Sequence, residues 1–331
     1  MQLIVAPSLP SPLRTPDTTA QPPLRVALVQ HAWRPDPDEL TAELGDGIAL
    51  AAGAGAKVVF LPELTLSRYP ADTPAAGIAK ESAEPLEGGP TFAFAAEQAR
   101  RHGVFVHASV FERPADDDRP EDPRGYNTAF LVAPDGRLAG RTRKTHIPIT
   151  AGYYEDTYFR PGDATGAYPV HEPAGLGVRL GLPTCWDEWF PEVARLYALE
   201  GAEVLAYPTA IGSEPDFPAF DTQPLWRQVI LANGITSGLF MVVPNRYGSE
   251  GAITFYGSSF ISDPFGRVLA EAPRDASAVL VADLDLAQRR EWLALFPFLL
   301  TRRPDSYAAL AREVDAARHG FGTIPTFGSV A

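Results

Sequence analysis

Val178-Arg179-Leu180-Gly181-Leu182-Pro183-Thr184-Cys185-Trp186-Asp187-Glu188-Trp189-Phe190-Pro191-Glu192 is an apolar segment, short enough for a buried strand, that runs into a helix. Pro191 suits a first helical turn, and Val193, Leu196 and Tyr197 continue at helical spacing. At the junction stands Cys185, the one cysteine in 331 residues. Two rigid elements hold a thiol placed there, and nearby backbone N–H groups favour a thiolate. A plain core cysteine would occupy the same position, since free Cys is among the most buried residue types. Its neighbours in the fold separate the two readings.

Two other ionisable residues follow strands. Lys57-Val58-Val59-Phe60-Leu61 reads as a buried strand, and Pro62-Glu63 ends it. Glu63 therefore lies at a strand's C-terminal end, the edge where open α/β sheets place ligands. Residues 136–144 form a more polar strand ending in Lys144, followed by Thr145-His146-Ile147-Pro148. Either residue taken alone would be an exposed loop charge.

Outward from these points, strands and helices alternate. Residues 24–30 are a buried strand, and a helix begins near Asp36-Pro37 with Leu40, Leu44, Ile48 and Ala51 on one face. A second helix over 91–101 leads to a strand at 104–112. Residues 113–125, rich in Asp and Pro, read as a solvated loop. Strands at 126–132 and 137–144 flank the hairpin turn Ala133-Pro134-Asp135-Gly136. Further strands are expected at 204–207 and 239–243, either side of the turn 263–266, and at 278–284. Helices are expected at 224–233 and, charged, near 305–318. Alternation implies βαβ units and the hairpins imply antiparallel pairing, so the pattern is a mixed-sheet α/β domain.

The order Glu63, Lys144, Cys185 resembles the catalytic triad of the nitrilase superfamily of carbon–nitrogen hydrolases. F-L-P-E-L (60–64), R-K-T-H-I-P (143–148) and C-W-D-E-W-F-P-E (185–192) are each similar to a signature segment of that family. G-A-E-V-L-A-Y-P-T-A-I-G-S-E-P (201–215), N-R-Y-G (245–248), F-Y-G-S-S-F-I (255–261) and R-R-P-D-S-Y (302–307) resemble its N-carbamoylputrescine amidase branch. The resemblance spans about residues 24–310. It implies a four-layer α-β-β-α sandwich, a homo-oligomer of two or more copies, and a second glutamate, here Glu155, that orients the triad. It also implies an acidic residue, Glu214, near the pocket for a distal amine.

Four stretches depart from that branch: Ile149-Thr150-Ala151, Gln223-Pro224-Leu225-Trp226, residues 233–238, and Leu64-Thr65-Leu66-Ser67-Arg68-Tyr69. All four are expected around the substrate rather than the nucleophile.

These residue types suit amide hydrolysis. Cys185 supplies the nucleophile, and Glu63 moves the thiol proton to departing ammonia and then activates water. Lys144, with the backbone N–H of Trp186, faces the developing oxyanion. The expected function is a cysteine amidohydrolase for an N-carbamoyl amine. The alternatives are an amidase for another carbamoyl amino acid or ω-amide, a nitrilase, and an inactive binding homologue. No cofactor is expected, and the six histidines show no metal-ligand spacing. His146 precedes the cysteine, against papain-like order.

Bulk properties bound the rest. A net charge of −13 argues against nucleic acid. A lone cysteine excludes an internal disulfide, and no apolar run approaches the ~18 residues that span a bilayer. Residues 1–23, with six prolines, are expected to be a flexible extension on a cytoplasmic protein, and 24–331 the hydrolase domain with its tail.

Overall fold

The computed structural model describes residues 1–13, 22–114, 119–315 and 318. The chain opens with β1 (Gln2–Val5), then runs β2 (Leu24–Gln30), α1 (Pro37–Gly53), β3 (Val58–Phe60), α2 (Pro90–His102) and β4 (Phe105–Glu112). β2, β3 and β4 pair in parallel through the two helical crossovers. β5 (Tyr126–Val132) and β6 (Leu138–Arg143) add as antiparallel hairpin strands. The second half repeats the idea. β7 (Val170–His171) and β8 (Leu180–Gly181) precede α3 (Pro191–Leu199), β9 (Val204–Ala206), α4 (Gln223–Ser237) and β10 (Phe240–Val243). β8, β9 and β10 are again parallel. A hairpin, β11 (Tyr247–Glu250) and β12 (Ile253–Tyr256), stands apart. β13 (Phe260–Ser262) and β14 (Val268–Glu271) extend the second sheet, and β15 (Ala278–Leu284) returns to the first, before α5 (Ala287–Leu295).

The strand orders are β1-β15-β2-β3-β4-β5-β6 and β14-β13-β10-β9-β8-β7. Period-two alternation stacks them. Val26, Leu28, Val58 and Phe60 face Leu180, Val204, Ala206 and Val242 in a core between the sheets. The alternate residues Ala27, Val29, Val59 and Leu61 face outward onto Leu40, Leu44 and Ile48 of α1 and Phe94 and Ala95 of α2. On the other side, Leu205, Tyr207, Met241 and Val243 pack on Val193 and Tyr197 of α3 and Trp226 and Ile230 of α4. The result is the four-layer α-β-β-α sandwich. Truncating a wholly buried residue such as Leu28 to Ala would cost about 2–5 kcal/mol.

Helix starts follow local chemistry. Asp36 caps α1 by accepting from the N–H groups of Asp38 (2.8 Å) and Glu39 (3.4 Å), a contact worth about 1 kcal/mol. Pro37, Pro90 and Pro191 each occupy a first turn, where the missing N–H costs nothing.

Two expectations are corrected. Part of the supposed flexible extension 1–23 is ordered. Gln2–Val5 pairs in parallel with β15, because β15 presents an open edge that an apolar tetrapeptide can cover; residues 14–21 lie outside the described residues. The charged helix near 305–318 is absent among the described residues: Pro304–Ser306 and Ala308–Ala311 are single 3₁₀ turns with no buried face. The helix of this region is α5, which docks through Trp292 Nε1 donating to Ile235 O at 2.8 Å. The helix α3 starts at Pro191, as its suitability for a first turn suggested, and Cys185 stands ahead of it. Cys185 opens a 3₁₀ turn, Cys185–Trp189, that precedes α3.

Candidate active site

The parallel strands direct their C-terminal ends to one place. Glu63 follows β3, Cys185 follows β8, and Lys144 follows β6 on the same sheet as Glu63. Glu63 and Lys144 have no exposed surface. Lys144 Nζ donates to Glu63 Oε1 at 2.9 Å and to Glu155 Oε2 at 2.7 Å. Asn127 Nδ2 donates to Glu63 Oε1 at 2.7 Å, and the Tyr69 hydroxyl donates to Glu155 Oε1 at 2.9 Å. Glu63 Oε2 is buried and takes no hydrogen bond among the described residues. An ammonium carries three donors, so Lys144 keeps one N–H beyond its two carboxylates.

Two carboxylates thus share one ammonium in a space sealed from water. Glu155 absorbs the misfit: burial, aided by the Glu63 charge and opposed by Lys144, pushes it up to about 7. Burial alone would discharge Lys144, but the Glu155 and Glu63 carboxylates outweigh it and hold the ammonium well above its ordinary value.

Cys185 is 5 % exposed, with φ 43°. A side-chain residue in this left-handed region stores about 1–3 kcal/mol of strain. The turn is held regardless: Cys185 N–H donates to Pro208 O at 3.1 Å, and Asp187 Oδ2 accepts from Thr184 N–H at 3.1 Å. Asp187 also accepts from His146 N–H at 2.9 Å, and its Oδ1 lies 2.7 Å from His146 Nδ1. This carboxylate therefore ties the segment after Lys144 to the cysteine turn. His146 stacks on Phe190 at 3.7 Å and serves that architecture.

One expectation about the thiol is reversed. Burial first, and the Glu63 charge second, push Cys185 well above its ordinary value, with Lys144 opposing. This favours the protonated thiol over a preformed thiolate.

Cys185 and Glu155 line a cavity of about 170 Å³ with Pro148, Thr150, Tyr153, Trp186, Trp189, Ile211 and Glu214. Glu214 is half-buried, accepts weakly from Thr222 Oγ1 at 3.3 Å, and is raised by burial. The cavity lining includes two carboxylates and no lysine or arginine. Trp186 lies against Trp189, with ring centres 6.1 Å apart. One wall depends on a glycine: a Cβ on Gly212 would meet Thr254 O at 2.2 Å, so only glycine lets this segment pair with the hairpin. Among the described residues no group of three or more His, Cys, Asp or Glu is placed to hold a metal ion.

Several residues were not singled out from the sequence. Asn127 was detectable as a polar side chain inside an otherwise apolar strand. Glu188, wholly buried, accepts from Trp226 Nε1 at 2.6 Å, while Asn233 Nδ2 donates to its backbone oxygen at 2.9 Å. Burial pushes its carboxyl well above the ordinary range. Trp226 and Asn233 belong to two of the four departing stretches, and both contact Glu188 beneath the cysteine turn. Tyr69 belongs to a third.

A family model described as carbon-nitrogen hydrolase matches residues 25–294. The chain belongs to the carbon–nitrogen hydrolase family. It is an enzyme of that class, an amidase-type hydrolase of the nitrilase superfamily. A citrullinase from Francisella tularensis is 34 % identical over 294 residues, covering 88 % of this chain and 99 % of its own. An N-carbamoylputrescine amidase from Arabidopsis thaliana is 37 % identical over 268 residues, covering 78 % and 86 %. A solved carbon–nitrogen hydrolase from Helicobacter pylori superposes with a TM-score of 0.76 at 31 % identity, covering 88 % of this chain and 98 % of that one.

Proposed function

We propose that this hydrolase cleaves the ureido C–N bond of an N-carbamoyl amine with a cationic far end, N-carbamoylputrescine being the representative substrate. The single observation that carries the reading is Glu214. It places a second carboxylate in a small cavity that has no cationic side chain in its lining. An ammonium is attracted there and a carboxylate repelled.

Glu63 Oε2 takes the thiol proton as Sγ attacks the ureido carbonyl carbon. The carbonyl oxygen becomes an oxyanion, for which the remaining Lys144 N–H and the Trp186 backbone N–H are the donors. Collapse breaks the bond to the terminal nitrogen, which takes the proton from Glu63 and leaves as ammonia. A thiocarbamate remains on Cys185. Water, losing its proton to Glu63, attacks that carbon, and the sulfur leaves and regains the proton. The released carbamic acid loses carbon dioxide and yields putrescine. Glu155 holds Lys144 from the opposite side, and Asn127 fixes the Glu63 oxygen that does not carry the proton.

The Francisella citrullinase motivates a second reading, the ureido amino acid. Citrulline carries an α-carboxylate beside its α-ammonium, and Arg274, a cation suited to the carboxylate, lines another cavity of about 510 Å³ but is already paired with Asp221 at 2.7 Å. Ammonia release from N-carbamoylputrescine, citrulline, N-carbamoyl-β-alanine, glutaramate and a simple nitrile separates the readings. Turnover is expected to favour N-carbamoylputrescine; preference for citrulline or for the carboxylate-bearing substrates would overturn the choice.

A cytoplasmic homo-oligomer accompanies this reading. Among the described residues no helix is long and apolar enough to cross a membrane. Leu196 and Leu199 on α3, with Leu295 and Phe296 at the end of α5, are exposed apolar residues on the second helical layer. Light scattering should give at least twice the 35.7 kDa chain mass; a monomer would count against it.

A further inference from the structure

Arg246 has no exposed side-chain surface and does not line the catalytic cavity. Its guanidinium nevertheless converges on the loop that carries Glu63. Nη2 donates to the backbone oxygens of Glu63 (2.5 Å) and Leu64 (3.0 Å). Nη1 donates to Ser67 O at 3.2 Å and to Glu250 Oε1 and Oε2 at 2.8 and 3.1 Å. Leu64 stands at φ 48°, a conformation a leucine adopts only where its surroundings force it. The turn after β3 is therefore strained, and the arginine grips the two carbonyls on either side of the strain.

The partner extends the grip. Glu250 Oε2 accepts from Tyr69 N–H at 2.7 Å, and the Tyr69 hydroxyl holds Glu155. The preceding residue acts on the facing wall: Asn245 donates to Ile211 O at 3.1 Å and accepts from Ile211 N–H at 3.2 Å. One dipeptide after β10 thus fixes both the strand end carrying Glu63 and the cavity wall bearing Ile211.

We infer that Arg246 is a positioning residue for catalysis, whose clamp on the Glu63 and Leu64 carbonyls keeps the unbonded Glu63 oxygen available to the Cys185 thiol. This rests on the reading of Glu63 as the base. Only a planar fork serves: two nitrogens reach three carbonyls and a carboxylate on different sides. A lysine ammonium offers the charge from a single point. With the clamp gone, Leu64 relaxes toward ordinary backbone angles and the carboxylate shifts relative to the sulfur. A misplacement of about 1 Å in such a group costs about 10²-fold in rate.

The test compares Arg246→Lys with wild type and Glu63→Gln, measuring Tm, steady-state kinetics on the best substrate of the panel, and the pH dependence of iodoacetamide labelling at Cys185. Expected for Arg246→Lys is a fall in kcat of about 10²-fold with KM near wild type. The labelling curve should also move to lower pH, in the direction of Glu63→Gln, because the Glu63 charge that holds the thiol up has moved away. Should Arg246→Lys not yield folded protein, Glu250→Gln leaves the guanidinium in place but loosens it, and the same shift is expected. A lowered Tm with wild-type kcat and labelling curve in these variants would overturn the proposal, leaving Arg246 a stability residue. Wild-type turnover and labelling in Glu63→Gln would remove the reading of the base itself, and the positioning role with it.

Discussion

Lys144 and Glu63 form a 2.9 Å ion pair in which neither side chain touches solvent. A buried pair of this kind is a weak source of stability, because desolvating two charges offsets their attraction. Its persistence makes sense when Glu155 and Cys185 are included. One ammonium serves two carboxylates, and the spare negative charge bears on an adjacent thiol. In the proposed attack the thiol proton passes to Glu63 and the negative charge passes from the carboxylate to the oxyanion, so the net charge of the site is unchanged and the donors around the oxyanion carry the stabilisation.

Lys144→Met removes the ammonium that Glu63 and Glu155 share. The expected loss is about 3–5 kcal/mol of stability, because two buried carboxylates are left facing each other. Denaturant unfolding checks the stability. Turnover should fall by at least about 10²–10³-fold, as for a lost oxyanion donor. An active Lys144→Met enzyme would refute the placement of the oxyanion.

Acid sensitivity has an identifiable source. Burial lowers His107 to about 3 and, with Arg246 nearby, His31 to about 4, from 6.5. Both folded values lie below the unfolded one, so the unfolded chain binds more protons in the interval. Stability is therefore full above about 6.5 and lost as pH falls toward 4 and then 3, each unit of difference being worth about 1.4 kcal/mol. Neither ring nitrogen of His107 has a partner among the described residues, so His107→Phe beside Phe60 should fold. Urea midpoints against pH should then show a shallower acid limb than wild type; an unchanged slope would locate the acid sensitivity elsewhere.

Glu214→Gln should raise KM for N-carbamoylputrescine and leave kcat less affected, since the contact acts in ground and transition states alike. N-carbamoyl-β-alanine should be unharmed or improved. Equal losses on both substrates would make Glu214 structural.

The individual strands and helices were legible in the sequence wherever burial imposes a period, whereas their stacking into a sandwich was implied only by the family resemblance. β2, β3, β5 and β15 are apolar runs of strand length, and α1 and α2 carry their stripes between caps and prolines. The candidate triad was picked out by the resemblance of its three segments to family signatures; that Glu63, Lys144 and Cys185 each follow a strand was a weak signal for any one of them. Long-range contacts leave no such period. Tyr69 meets Glu155 across 86 positions and Arg246 reaches Glu63 across 183, so neither was singled out. β1 was missed for a related reason: four apolar residues form a strand only where an edge is waiting. The thiol's state was misjudged because the local N–H groups are visible in the sequence, whereas the burial and the Glu63 charge that overrule them are not.

The covalent intermediate is the most direct test of the chemistry. Wild-type enzyme mixed with N-carbamoylputrescine, quenched in acid within the first turnovers and weighed intact, should carry an added mass equal to the substrate less ammonia. Peptide mapping should place that mass on Cys185, and Cys185→Ala should show neither adduct nor ammonia release while keeping the wild-type fold. Ammonia release by Cys185→Ala, or an adduct mapped to another residue, would contradict the mechanism at its centre.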